Sequence, residues 1–236
     1  MPKYAKPSGE TAKKQKRSMT PWIIGAGILF LALIAFAVFI NNPSRSAASI
    51  EAPDVPAEWL DRSSVGNPDA VVTVQAWEDF LCPACQQWAD QVKPRLMSEF
   101  VDTGQVRFEF HHFPLQIHSP GAQMAAMGAE CAADQGGFWP YHDRLFIEAA
   151  NRGQSGVTLE RLTEYARDQG LDDDEFLQCM NSQRHWDAVN ASVAEAFSLG
   201  LNSTPTILIN GQPMAQPFNY NELEGTINAL LEASGQ

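Results

Sequence analysis

Two cysteines separated by two residues form the pattern with the clearest chemistry in this sequence, Cys82-Pro83-Ala84-Cys85. This spacing is typical of thiol–disulfide redox sites, and it also occurs as one half of a zinc site. A structural zinc site requires a second close pair, whereas the two other cysteines, Cys131 and Cys179, are far apart in the chain. The motif therefore favours redox chemistry over metal binding, and this chemistry requires no bound cofactor.

The motif lies at a predicted junction between a strand and a helix, which explains how one thiol is activated. Residues 71–77 are a Val-rich apolar run that predicts a buried strand, and apolar residues then recur every three or four positions from Cys85 to Phe100. At the N-terminus of such a helix, unpaired N–H groups and the helix dipole favour a thiolate. Pro83 is tolerated in the first turn, where its missing N–H costs nothing. We therefore predict that Cys82 is the nucleophile and that Cys85, one turn deeper, resolves mixed disulfides.

The rest of the pattern predicts an α/β domain with a mixed sheet and a helical insertion. Residues 105–113 alternate in part between apolar and polar and predict a second strand. Residues 119–200 have helical periodicity, and residues 206–209 predict a third strand. The dipeptide Asn210-Gly211 follows at once and is a strong signal for a hairpin turn. A last amphipathic helix is expected around residues 223–231.

An uncharged apolar segment at residues 22–40 predicts a transmembrane anchor, because as a helix it nearly spans a hydrocarbon core of about 30 Å. Six of the 16 basic residues but only one of the 28 acidic residues precede residue 18. The positive-inside rule then makes residues 1–21 a cytoplasmic basic tail and places the rest of the chain outside the membrane. The alternative is a cleaved signal peptide, whose apolar region is shorter, about 7–15 residues.

The segment between the anchor and the domain predicts an extracytoplasmic linker at residues 41–66, since it is rich in Asn, Ser, Ala and Pro. We expect the folded domain at residues 67–236, with the helical insertion at about 117–200. The chain has a net charge of −12, and its exported part is the acidic part. Nucleic acid is excluded as a partner, because neutralising phosphates requires a basic face.

From Gly66 to about Leu231 the sequence resembles the DsbA-like family of exported thiol–disulfide oxidoreductases, which have a thioredoxin fold with an inserted helical domain. The matching stretches are Gly66-Asn67-Pro68-Asp69-Ala70, Asp79-Phe80-Leu81-Cys82-Pro83-Ala84-Cys85, Glu99-Phe100-Val101-Asp102-Thr103-Gly104, Phe113-Pro114-Leu115, Phe138-Trp139, His142-Asp143, Leu145-Phe146 and Ser203-Thr204-Pro205-Thr206. The resemblance implies that Cys82 attacks, that Cys85 resolves, and that Thr204-Pro205 contains the cis-proline that faces the active-site disulfide. It also implies two partners: unfolded exported proteins with free cysteines, and a quinone-linked membrane protein that reoxidises the dithiol.

Three departures from the family pattern affect the expected chemistry. Ala84 stands where strongly oxidising members often have His, which suggests a milder redox potential. Ala76 stands where many members have a buried Glu, six residues before the nucleophile. Glu78 would point to the same face of the strand and is our candidate proton acceptor, the alternative being an exposed Glu78 with water as the acceptor. Finally, residues 41–66 are too short for a dimerisation domain like that of the exported isomerases.

Cys131 and Cys179 have two interpretations. They are either small buried apolar side chains on helix faces or, as in some DsbA-like relatives, partners in a structural disulfide, which the exported location favours. His111 and His112 point to opposite faces of one strand, so they cannot bind one metal ion, and we predict no metal site.

These observations predict a membrane-anchored extracytoplasmic thiol oxidase. A reductase or an isomerase would use the same cysteines, because direction depends on the reduction potential and not on the spacing. A thiol metallochaperone is a further alternative, although such proteins typically separate their cysteines by three residues.

Overall fold

The computed structural model describes residues 50–235. The predicted cytoplasmic tail at residues 1–21 and the predicted anchor at residues 22–40 lie outside this range. Within residues 50–235, none of the helices has both the length and the apolar character needed to cross a membrane.

A mixed six-stranded sheet forms the centre of the described part of the chain. The strands are β1 (Leu60–Asp61), β2 (Ser64–Val65), β3 (Val72–Glu78), β4 (Val106–His112), β5 (Thr206–Ile209) and β6 (Gln212–Pro213). They are arranged in the order β1-β2-β4-β3-β5-β6. Strands β3 and β4 are parallel, and every other neighbouring pair in this sheet is antiparallel. The predicted mixed sheet is therefore confirmed.

The folded domain begins earlier than predicted, so the assignment of residues 41–66 to a linker is wrong at its C-terminal end. Strands β1 and β2 pair with each other, and β2 pairs with β4 through Val65 and Phe108. Val65 is fully buried. Strands of two residues are too short to show any hydrophobic period. β2 forms here because the edge of β4 offers it hydrogen bonds, and β1 forms because it pairs with β2.

The chain continues from β3 into a helix that is broken once. Helix α1 (Pro83–Gln91) is followed by the single turn α2 (Lys93–Leu96) and by one turn of π-helix (Met97–Val101). The break falls at Val92, two residues before Pro94. Proline lacks the N–H that would bond to the carbonyl group four residues earlier, so the continuous helix is interrupted here.

Five α-helices and two short 3-10 helices lie in the insertion between β4 and β5, and one more α-helix ends the domain. The α-helices of the insertion are α3 (Gly121–Ala133), α4 (Phe138–Arg152), α5 (Leu159–Asp168), α6 (Asp173–Asn181) and α7 (Trp186–Ser198). Helix α8 (Tyr220–Ser234) follows the β5–β6 hairpin. In the hairpin turn, Asn210 and Gly211 both have positive φ, 47° and 78°, as a type I′ turn requires.

The two faces of the sheet are buried against different elements. Ala76, Phe108 and Phe110 belong to the larger core, which includes apolar residues of α1, α8 and the insertion. Trp77 belongs to a smaller cluster, which includes Ala196 of α7. Because side chains alternate along a strand, Glu78 lies on the same face as Ala76, towards the larger core.

Candidate active site

Cys82 lies at the N-terminal end of α1, as the sequence predicts. It is the residue that caps the helix, and Pro83 occupies the first turn. Its N–H donates to the carbonyl oxygen of Asp79 at 3.0 Å, and its own carbonyl oxygen accepts from Gln86 N–H at 3.1 Å. The thiol therefore lies beside the N–H groups of the first turn, which no helical carbonyl satisfies.

The two thiols of the motif differ in accessibility. Cys82 is 8% exposed, whereas Cys85 is fully buried. Ala84, between them, is half-buried and has no side chain that donates hydrogen bonds. Only Cys82 can therefore meet a substrate sulfur without a change in structure.

The electrostatics of the two thiols also differ, although both are unpaired in this structure. The thiol of Cys85 donates a hydrogen bond that lowers the pKa of Cys82 to about 5, and Thr204 and the N–H groups of Cys85 and Ala84 act in the same direction. Burial raises the pKa of Cys85, and the hydrogen bond between its thiol and Cys82 adds to this effect. At neutral pH the site therefore holds one thiolate and one thiol.

Thr204 and Pro205 lie directly before β5, at the same end of the sheet where β3 ends and the motif follows. Their peptide bond is cis. Sγ of Cys82 lies 3.5 Å from the main-chain oxygen of Thr204, to which Cys82 donates when it is protonated. The Thr204 hydroxyl is buried and has no hydrogen-bond partner within the described range. It is therefore available to donate to a thiolate at Cys82. Pairing of β5 with β3, which places Thr206 opposite Trp77, brings these residues to the cysteines.

Glu78 is buried beneath the motif, so the alternative of an exposed Glu78 is wrong. Its exposure is 1%, and neither carboxyl oxygen has a hydrogen-bond partner among residues 50–235. Burial raises the pKa of Glu78 well above its usual range, the charge of Lys93 opposes this, and the charges of Cys82 and Asp143 reinforce it. A carboxyl group without partners, whose charge interacts with both thiols, is free to exchange a proton.

Lys93 is a component of the site that the sequence prediction missed. It is buried, its Nζ donates to Asp143 Oδ1, and it lies 5.8 Å from the centre of the Trp139 ring. Asp143 also accepts from Nδ1 of the buried His142 at 2.7 Å. The available signal was that Lys93 is the only lysine after residue 16 of an acidic chain.

Lys93 and Asp143 lie where the protein interior meets a groove that is open to solvent. Both residues line an open groove of about 600 Å³ between α1 and α4. The groove extends to Pro83, directly after the nucleophile, and to Phe146 on α4. Water in this groove can therefore reach the charged groups that neighbour Glu78.

Asp79 is the second residue that the sequence prediction missed as a site residue. Its side chain is fully buried, and its N–H donates to Cys85 Sγ at 3.4 Å. Asp79 begins the stretch that resembles the DsbA-like family at the motif, but neither its residue type nor its position indicated a role.

Cys131 and Cys179 are joined by a disulfide, with an S–S distance of 1.99 Å and a sequence separation of 48. The bond links α3 to α6, and both residues are 1% exposed. Together with His185 they form the one cluster of metal-binding side chains found in the described residues. The disulfide leaves no thiolate there to bind a metal ion.

The strand histidines have separate surroundings. His111 stacks on Trp77, with 4.3 Å between ring centres. His112 lies on the opposite face, with its Nε2 3.0 Å from Glu130 Oε1. They therefore cannot share a metal ion.

The chain is similar to proteins of known families. A family model described as Thioredoxin matches residues 60–229. The probable disulfide bond formation protein D of Bacillus anthracis is 28% identical over 72% of this chain and 79% of its own length. The structure of oxidised BdbD from Bacillus subtilis superposes with a TM-score of 0.67 at 25% identity, covering 72% of this chain and 93% of that one.

A second group of similar proteins is much longer. The Na(+)/H(+) antiporter NhaA 3 of Salinispora tropica is 32% identical over 92% of this chain. This chain covers only 31% of the length of that antiporter.

Proposed function

This chain belongs to the thioredoxin family and is a DsbA-like thiol–disulfide oxidoreductase, and from this premise we propose that it introduces disulfides into exported proteins through its Cys-Pro-Ala-Cys dithiol. The observation that carries the proposal is the asymmetry of the pair. Cys82 is accessible with a low pKa, and Cys85 is buried with a raised pKa. The similarity to a protein named for disulfide bond formation supports it.

In the proposed oxidation, a substrate thiolate attacks Sγ of Cys82 in the oxidised enzyme. A mixed disulfide forms through Cys82, the bond to Cys85 breaks, and Cys85 leaves as a thiolate that takes up a proton. A second substrate thiolate then attacks the substrate sulfur of the mixed disulfide and releases Cys82 as a thiolate. Two electrons pass from the substrate to the enzyme, and the low pKa of Cys82 makes it a good leaving group.

In the proposed reoxidation, the Cys82 thiolate attacks a disulfide of a quinone-linked membrane partner. Cys85 then loses its proton and attacks Sγ of Cys82, which releases the partner as a thiolate. The predicted anchor at residues 22–40 would keep the enzyme at the membrane where such a partner resides, with residues 1–21 in the cytoplasm and the catalytic domain outside.

The proposed direction predicts a reduction potential closer to the oxidising end of the range for such motifs, about −120 mV, than to the reducing end, about −270 mV, although Ala84 should make it milder than that of the strongly oxidising members. A Cys82 pKa of about 5, below that of an unfolded thiol, stabilises the reduced form. This stabilisation is complete above the pKa of an unfolded thiol, about 8.5, and is lost as the pH falls through 5. Equilibration with glutathione measures the potential, and thiolate absorbance measures the pKa.

Two values of the reduction potential would contradict the proposal that the chain acts as an oxidase. A potential near −270 mV would assign the chain to the reductases, and an intermediate value of about −180 mV would favour an isomerase. The variant Thr204→Val serves as a control, because it removes the hydroxyl that can donate to the thiolate and should raise the pKa of Cys82.

We further propose that Glu78 accepts the proton of Cys85 during reoxidation. While Cys82 is a thiolate, its charge raises the pKa of Glu78 and favours the protonated carboxyl group. When Cys82 enters a mixed disulfide, this charge disappears, and Glu78 ionises more readily beside the charge of Lys93. The base therefore becomes available at the step in which Cys85 must be deprotonated.

The variant Glu78→Gln is expected to slow the attack of Cys85 on a mixed disulfide by at least about tenfold near neutral pH, since it removes the base but preserves the shape. The measurement is the pH–rate profile of mixed-disulfide decay after mixing reduced enzyme with oxidised glutathione. Glu109→Gln is the matched control, because Glu109 bonds to Gln75 and Arg107, outside the motif. An unchanged profile would leave water as the acceptor.

The double variant Ala76→Glu with Glu78→Gln tests whether a carboxylate at position 76, where many family members have a buried Glu, restores the rate of Cys85 attack.

A further inference from the structure

Asp79, three residues before the nucleophile, uses all of its polar groups to hold the turn that carries both active-site thiols. Its main-chain oxygen accepts from Cys82 N–H at 3.0 Å. Its main-chain N–H donates to Cys85 Sγ at 3.4 Å. One residue therefore contacts both members of the dithiol through its backbone.

The carboxyl group of Asp79 joins this turn to a second loop. Oδ1 accepts from Leu81 N–H at 2.7 Å, and Oδ2 accepts from Leu115 N–H at 2.8 Å. The side chain is fully buried. Leu81 directly precedes Cys82, and Leu115 belongs to the loop between β4 and the helical insertion, so the carboxyl group fixes two segments that are distant in the sequence.

His118 makes the third contact with this carboxyl group. Its Nδ1 donates to Asp79 Oδ2 at 2.7 Å, and its side chain is 22% exposed. Gln154 in turn donates to the carbonyl oxygen of His118 at 3.2 Å, which ties the same loop to the 3-10 turn directly after α4. Three N–H donors thus share two oxygens.

We propose that Asp79 is a positioning residue for Cys85: its side chain, tethered by His118, holds the strand end so that the N–H of Asp79 points at Cys85 Sγ. An N–H donor aimed at sulfur favours the thiolate over the thiol. This contact is most valuable when Cys85 is deprotonated in a site where burial opposes its charge. The inference rests on the proposed roles of Cys82 and Cys85.

Asp79 would act in one step of the reaction of reduced enzyme with oxidised glutathione. In the first step, the Cys82 thiolate attacks glutathione disulfide, which gives a mixed disulfide and one glutathione thiolate. In the second step, the Cys85 thiolate attacks Sγ of Cys82, the Cys82–Cys85 bond forms, and the second glutathione thiolate leaves. The thiol proton of Cys85 passes to a base before this attack.

The test is a quenched time course of this reaction with the full chain, in which mass spectrometry quantifies the mixed disulfide. Asn has one acceptor oxygen in place of two, so in Asp79→Asn at least one of the three donors loses its partner. We expect the second step to slow about tenfold, while the first step, carried by Cys82, changes by less than about twofold. Asp90→Asn is the matched control, because Asp90 is an exposed residue of α1, and it should leave both steps unchanged.

A second variant keeps the test decisive if Asp79→Asn does not fold. His118→Ala removes one donor and leaves the bonds from Leu81 and Leu115, and we expect it to slow the second step about threefold. The double variant should be no slower than Asp79→Asn alone, since the histidine acts through the carboxyl group. An unchanged second step in His118→Ala, or equal slowing of both steps in Asp79→Asn, would overturn the proposal.

Failure of the proposed thiol roles would have a different signature. If Cys85 does not displace glutathione even in the wild-type enzyme, the division of labour between the two cysteines is wrong. If the wild type completes the second step and Asp79→Asn completes it as fast, only the role of Asp79 is wrong.

Discussion

The variant Cys85→Ala should accumulate mixed disulfides with its substrates through Cys82, and Cys82→Ala should accumulate almost none. In Cys85→Ala the accessible thiolate still reacts, but no second thiol can release the bound substrate. In Cys82→Ala the remaining thiol is buried and its pKa is raised, so it presents almost no thiolate. The difference should be close to all-or-none, and non-reducing gels followed by mass spectrometry of the linked peptides will measure it.

Controls separate this prediction from a general loss of reactivity. The double variant should trap nothing, and treatment with a reductant should release the complexes of Cys85→Ala. Pro205→Thr should stabilise trapped complexes or change the reduction potential, because Pro205 follows the residue whose carbonyl group contacts Cys82. Equal trapping by Cys85→Ala and Cys82→Ala would contradict the assignment of Cys82 as the nucleophile and Cys85 as the resolving thiol.

Loss of the Cys131–Cys179 disulfide should lower the free energy of unfolding by roughly 4 kcal/mol. The bond closes a loop with a sequence separation of 48, and a cross-link over such a loop restricts the unfolded chain by about this amount in the chain-entropy model. Replacement of both Cys131 and Cys179 by Ala, compared with wild type by denaturant unfolding, measures the loss. Both sites are buried, and alanine at both positions avoids an unpaired thiol.

The same disulfide should not take part in catalysis. Both sulfurs are buried within the insertion, so mild reduction should open the Cys82–Cys85 bond first and leave this one intact. Mass spectrometry after graded reduction will show the order. Free thiols at both positions in freshly exported protein, or a loss of stability below about 1 kcal/mol, would contradict a structural role.

The sequence alone was sufficient to predict the strand–helix junction at the motif, because the signals there are local. The Val-rich run before Cys82, the apolar stripe from Cys85 and the proline after the nucleophile all act within a few residues of one another. The turn at Asn210-Gly211 is equally local, since positive φ at both positions follows from these two residue types. The mixed sheet and the helical insertion followed from the order of such segments.

The surroundings of the thiols were decided only by the tertiary structure. Alternation of side chains along β3 placed Glu78 on the same face as Ala76. Whether that face is buried at Glu78 depends on how elements that are distant in the sequence pack against it. The contact of Lys93 with Asp143 and the bonds of Asp79 to the loop of Leu115 likewise join segments that are far apart in the chain. Such contacts leave no period or spacing in the sequence, because they arise only when the parallel pairing of β3 with β4 and the insertion between β4 and β5 bring these segments together.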